Sequence, residues 1–139
     1  MARRLMTYLA VMLVISFLLA SCSGPEKKKM KFYDKGQVLF EQEDYVKARL
    51  EFKNALQIDP EFAEAYFMLG RVELEEKNFQ QAFGYFSKAV ELNPENDQAH
   101  LELGKLFLAA RALERARREA DLLLAKDAGN PDYRTLDAA

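Results

Sequence analysis

A single cysteine and a single histidine leave this 139-residue chain short of the side chains that most protein chemistry uses. One cysteine excludes an internal disulfide framework. One histidine, His100, argues against a histidine-based metal site or a Cys/His catalytic pair. No Ser/His/Asp arrangement, metal-ligand spacing or phosphate-binding glycine loop is present. The net charge is only −2, so no basic surplus invites nucleic acid. No catalysis, cofactor or metal is expected. What remains suits one folded domain: half the residues are hydrophobic and 30% are charged.

The N-terminal stretch through Cys22 reads as an address. Met1 to Arg4 is short and basic, Leu5 to Leu19 is apolar and uncharged, and Ala20 and Ser21 are small. That order describes a secretory signal peptide. A retained membrane anchor is the alternative, but the apolar run is short for a span of ~20 residues. Leu19-Ala20-Ser21-Cys22 resembles the lipobox of bacterial lipoproteins. The resemblance implies a signal peptide over 1–21, cleavage before Cys22, and Cys22 carrying acyl chains such as palmitate. It also favours the outer membrane, facing the periplasm, over the alternative of the inner membrane, since no Asp follows the cysteine. Each buried CH₂ of an acyl chain adds ~0.8 kcal/mol of membrane affinity. Residues 22–28 read as the lipidated cysteine and a polar tether, with Gly24 and Pro25 breaking regular structure.

Beyond the tether the chain repeats itself. Gly36, Gly70 and Gly104 recur at one fixed interval, and so do Ala48, Ala82 and Ala116. Phe52 and Phe86, Ala55 and Ala89, and Pro60 and Pro94 keep the same spacing. A period of about 34 residues marks an all-α helix–turn–helix solenoid. Glycine inside a helix costs ~1 kcal/mol relative to alanine, so these glycines are expected to serve close helix packing against the alanines. Asp44-Tyr45 and Asn78-Phe79 mark turns within pairs. Asp59-Pro60 and Asn93-Pro94 mark breaks between pairs, with Asp or Asn as N-cap and Pro as first helical residue.

With units drawn at 29–62, 63–96 and 97–130, the pattern resembles the tetratricopeptide repeat family. The second unit carries Tyr66, Leu69, Gly70, Ala82, Phe86, Ala89 and Pro94 at the family's positions. The first carries Phe32, Gly36, Ala48, Phe52, Ala55 and Pro60. The third departs from it: Ala120 stands where an aromatic is wanted, Leu123 where an alanine is, and His100 replaces another aromatic. His100 is therefore expected as a packed core histidine. The run Glu114 to Asp121 reads as a solvated helix face. Gly129-Asn130-Pro131-Asp132 stops one helix and starts another, giving a short capping helix within 131–139.

The resemblance implies a partner-binding groove lined by the first helix of each pair. Carried onto this sequence, it is built from Tyr33, Gln37 and Phe40, then Phe67, Arg71 and Leu74, then Leu101, Lys105 and Leu108. An apolar stripe with a cationic row suits a peptide with apolar anchors and an acidic group. Chaperone-binding members of the family hold a C-terminal carboxylate with Lys and Asn. Tyr33, Gln37, Met68, Gln98 and Glu102 occupy those positions here, so that clamp is absent. The expectation is a lipid-anchored protein-interaction adaptor of the bacterial envelope. Such lipoproteins resemble accessory factors of envelope assembly, pilus biogenesis and exopolysaccharide export or sorting. The alternatives are a structural subunit that self-associates through a poorly capped third repeat, or a non-catalytic regulatory module of an envelope enzyme complex.

Overall fold

The computed structural model describes residues 23–137, and the expected signal peptide and Cys22 lie outside them. Seven helices and no strand occur among the described residues: α1 (Ser23–Glu41), α2 (Tyr45–Ile58), α3 (Ala63–Glu75), α4 (Phe79–Leu92), α5 (Asp97–Ala109), α6 (Leu113–Lys126) and α7 (Pro131–Asp137). They stack as three antiparallel pairs, α1 on α2, α3 on α4 and α5 on α6, with α7 against α6 and α5. The all-α helix–turn–helix solenoid expected from the repeat period is the observed architecture.

The segment expected as an irregular tether is helical, because α1 begins at Ser23. Pro25 falls in the first turn, where its missing N–H would have had no partner. Glu26 favours the positive end of the helix dipole and pairs with Lys29 at 2.9 Å. Lys29 is buried: its Nζ donates to Asp59 at 2.8 Å and lies 4.4 Å above the Phe62 ring. Of the three consecutive lysines Lys27, Lys28 and Lys29, the last is thus a packing residue whose charge is offset by Glu26 and Asp59.

The prolines also sit differently from expectation. Pro60 and Pro94 do not begin helices; α3 starts at Ala63 and α5 at Asp97. Asp59 closes α2, and its carbonyl and side chain accept from Phe62 N (3.3 Å) and Glu61 N (3.0 Å). Pro60 is therefore the second residue of a tight turn, where its fixed φ fits. Asn93 and Pro94 repeat the arrangement through Asn96 N and Glu95 N. Asn96 then caps α5 by accepting from Ala99 N at 3.0 Å.

Within each pair the turn is a Schellman motif built three times. Glu43 N donates to the Phe40 carbonyl at 3.0 Å and Asp44 N to the Leu39 carbonyl at 2.9 Å. Lys77 and Asn78 repeat this, as do Arg111 and Ala112. The residue that must turn left-handed is never glycine: Glu43, Lys77 and Arg111 have φ of 61°, 63° and 57°. The third turn, which has no Gly, Asn or Asp, folds like the other two.

Gly36 and Gly70 face aromatic rings rather than the alanines. A Cβ on Gly36 would stand 2.6 Å from the Phe52 ring, and one on Gly70 the same distance from Phe86. Both rings are fully buried, and both pack on the next pair: Phe52 with Met68, Leu69 and Val72, Phe86 with Leu103. In the third pair Ala120 leaves that space empty of its own side chain. Leu136 of α7 enters it, and a Cβ on Gly104 would meet Leu136 Cδ1 at 2.6 Å. Leu136 is 2% exposed and joins Ala120, Leu123 and Tyr133 in one cluster. This leucine and Tyr133 cover the part of the third repeat's apolar face around Leu101, Leu108, Ala120 and Leu123.

Candidate peptide-binding groove

The nine predicted groove residues all lie on α1, α3 and α5, but the structure divides them. Tyr33 is half-buried, with its ring 5.8 Å from Phe52 and 5.0 Å from Phe62. Burial raises its hydroxyl pKa. Gln37 Nε2 donates to that hydroxyl at 3.4 Å. Phe67 leans on Phe86 with ring centres 5.7 Å apart. Leu101 and Leu108 pack on the Leu123–Leu136 cluster. Tyr33, Phe67, Leu101 and Leu108 are chiefly walls of the core.

The other five come together at two hollows. Gln37, Phe40 and Arg71 line a polar one of about 320 Å³, with Glu41, Tyr45 and Met68. The exposed Arg71 guanidinium lies 4.6 Å above the Phe40 ring, and Phe40 meets Tyr45 edge-on at 5.4 Å. Stacking on a ring holds the cation in place without neutralising it. Leu74 and Lys105 line an apolar hollow of about 450 Å³, with Phe79, Leu106 and Ala109. Lys105 Nζ is tied to Glu102 at 2.8 Å.

Phe79, 58% exposed, belongs to no predicted groove position, because it opens the second helix of its pair. The sequence carries a signal for it: Tyr45, Phe79 and Leu113 are bulky, recur at the repeat interval and directly follow the turn.

His100 is a packed residue, as expected. Its Nδ1 lies 2.6 Å from Glu119 and its Nε2 3.0 Å from the Pro94 carbonyl. It thereby ties α5 to α6 and to the turn before it, and Glu119 is the exception to a solvated face over Glu114 to Asp121. The described residues bring no three His, Cys, Asp or Glu side chains to a common metal-binding point. No described helix is long and apolar enough to cross a membrane.

Two tetratricopeptide repeat models match the sequence, one over residues 33–97 and one over 73–139. Solved structures are similar across most of the chain. The Arabidopsis OM64 TPR domain is 20% identical, with 83% of this chain and 95% of that one covered and a TM-score of 0.74. The second TPR domain of human RPAP3, in complex with an HSP70 peptide, is 18% identical, with coverage of 83% and 96% and a TM-score of 0.74. Pseudomonas aeruginosa pilF is 30% identical with a TM-score of 0.72; the match covers 85% of this chain and 53% of that one, about half its length. No match among curated proteins reaches significance.

Proposed function

Because this chain belongs to the tetratricopeptide-repeat family, we propose that it is a scaffold holding a peptide segment of another protein against α1, α3 and α5. The observation that carries the reading is the exposed Arg71 stacked on Phe40, with an apolar hollow at Leu74 one repeat further on. A cation fixed beside an aromatic, next to an apolar recess, suits a peptide with an acidic group and a bulky apolar anchor. RPAP3, which shares the fold, is seen with a peptide bound. The ligand here is of another kind from a chaperone tail, since Tyr33, Gln37, Met68, Gln98 and Glu102 replace the clamp that the resemblance would require.

This scaffold is proposed to sit in the bacterial envelope. Support comes from Arg3 to Cys22, with a basic start, an apolar stretch and a lipobox-like end. Cys22 is then the lipidated first residue and the outer membrane the attachment site, with the solenoid in the periplasm. Changing Cys22→Ala should leave the protein unprocessed or unlipidated; processed protein still fractionating with membranes would overturn the anchor.

The groove is tested by photo-crosslinking in cells. Phe67 leans on the core, so the exposed Arg71 is the better probe site, with Lys53 on α2 as control. A discrete partner captured from position 71 alone supports the scaffold reading. Equal capture from both positions, or none from position 71, overturns it.

A further inference from the structure

The repeat makes each junction between pairs a control for the next. Where α2 meets α3, the buried Glu73 accepts from Arg49 Nε at 2.8 Å and from Asn78 Nδ2 at 2.9 Å. Arg49 also pairs with Glu76. This polar network fills the edge of the first junction. One repeat further on, where α4 meets α5, the corresponding positions are Phe83, Phe107, Ala110 and Ala112. Every charged or amide group has become an aromatic or an alanine. Two phenylalanines meet edge-on at 5.5 Å, and the alanines leave a hollow of about 330 Å³.

Phe79 stands between this hollow and the apolar one beside Leu74, lining both. Phe79 and Phe83 are 58% and 36% exposed. The one charged side chain lining the second hollow is Arg115, whose guanidinium lies 5.7 Å over Phe107. Arg111 sits between two of its alanines on the left-handed turn. Neither arginine makes an ion pair among the described residues. The site therefore has an aromatic-walled recess and a cationic rim with no carboxylate of its own.

We propose that this edge of the second junction docks an amphipathic, acidic segment of a partner protein, which inserts one bulky apolar side chain beside Phe79 and sets carboxylates against Arg111 and Arg115. Aromatic pockets with arginine rims are where binding energy concentrates. The surface shares Phe79 with the apolar hollow at Leu74 but not the Arg71 cation, so binding that survives Arg71→Glu belongs to it.

The absence of tryptophan supplies the assay. Full-length protein in phospholipid nanodiscs with a tryptophan-free scaffold is titrated into a glutamate-rich amphipathic peptide bearing one tryptophan, whose emission then reports only the peptide. Saturable blue-shifted binding is expected. It should weaken at least tenfold when the tryptophan becomes alanine, or when the glutamates become lysines.

Copying the first junction into the second (Phe83→Arg, Phe107→Glu, Ala110→Glu, Ala112→Asn) should cost at least tenfold in affinity with helicity kept. Ala110→Leu, which fills the hollow at an exposed position, should do the same and guards against misfolding of the fourfold variant. All of these measurements are made in an Arg71→Glu background, which removes the cation of the groove site, so that the binding read is that of the second junction. Undiminished binding in the well-folded variants, equal affinity for the lysine peptide, or no saturable binding in the Arg71→Glu background would overturn the proposal. So would the same signal from empty nanodiscs, which would mean lipid, or protein dimerisation blocking the site in sedimentation, which would mean a second copy.

Discussion

Leu136→Ala tests the claim that a side chain from α7 does in the third repeat what a phenylalanine does in the first two. Leu136 is 2% exposed and its Cδ1 lies where a Cβ on Gly104 would be crowded at 2.6 Å. Truncating the leucine there forfeits burial and opens a cavity, a change that costs about 2–5 kcal/mol in typical cores. The low end applies, about 2–3 kcal/mol, because the seven-residue α7 can shift toward the gap. Chemical denaturation followed by circular dichroism measures the loss. Hydrogen exchange should localise it to α5, α6 and α7. The decisive arm is rescue. Ala120→Phe alone should be destabilising, because its ring and Leu136 compete for one space. Combined with Leu136→Ala, the same phenylalanine should recover at least half of the loss, as Phe52 and Phe86 occupy the equivalent place over Gly36 and Gly70. A loss no larger than that of an ordinary surface substitution, or two substitutions whose effects simply add, would refute the replacement of the missing ring by Leu136.

Phe86→Ala should destabilise by ~3–5 kcal/mol, since the ring is fully buried; a loss of less than a third of that in denaturant unfolding would contradict the packing over Gly70. Lys77→Gly should stabilise by about 1 kcal/mol, because φ of 63° strains a lysine and suits glycine, and an unchanged or lower melting temperature would count against that turn geometry. The Lys29 hydrogen bond lowers the Asp59 pKa, and the bonds to Asp59 and Glu26 raise that of Lys29. A lowered carboxyl pKa contributes stability above its unfolded value of ~3.9. That contribution fades as pH falls through the folded value. A raised amine pKa contributes below its unfolded value and fades as pH rises through the folded one. The stability difference between wild type and Asp59→Asn should therefore be flat from about pH 5 to 9 and shrink below about pH 4. A difference that persists undiminished into acid would show that the pair is not its source.

The architecture is legible because Gly36, Phe52 and Pro60 recur at one spacing, and a repeat states its own boundaries. Units drawn from positions 63 and 97 coincide with the first residues of α3 and α5. What the glycines face is not legible. A small residue in a helix announces a close approach but not the partner, and Phe52 rather than Ala48 makes it. The vacancy at Ala120 can be read, whereas its filling by Leu136 depends on how α7 docks on the preceding pair. The start of α1 is hidden because Gly24 and Pro25 usually end helices, yet in a first turn neither has a backbone bond to lose. The groove is half legible. Spacing places residues on α1, α3 and α5, but the inward lean of Tyr33 is set by Phe62, which arrives from the following turn. Phe79 escapes notice because the resemblance directs attention to first helices.

The longest-range side-chain bond among the described residues, from Lys126 to Glu95, joins positions 31 apart. Among the described residues helices pack on their own pair or on the next, so the entropy of closing large loops adds little to the folding barrier. As the chain is delivered from its N-terminus, each pair can settle against a neighbour already in place. Lengthening the protein by one more repeat would add a unit without slowing those before it. The same locality means that a pulled or heated molecule should come apart pair by pair from its ends, and that anything bound across all three pairs would make it fail as a whole.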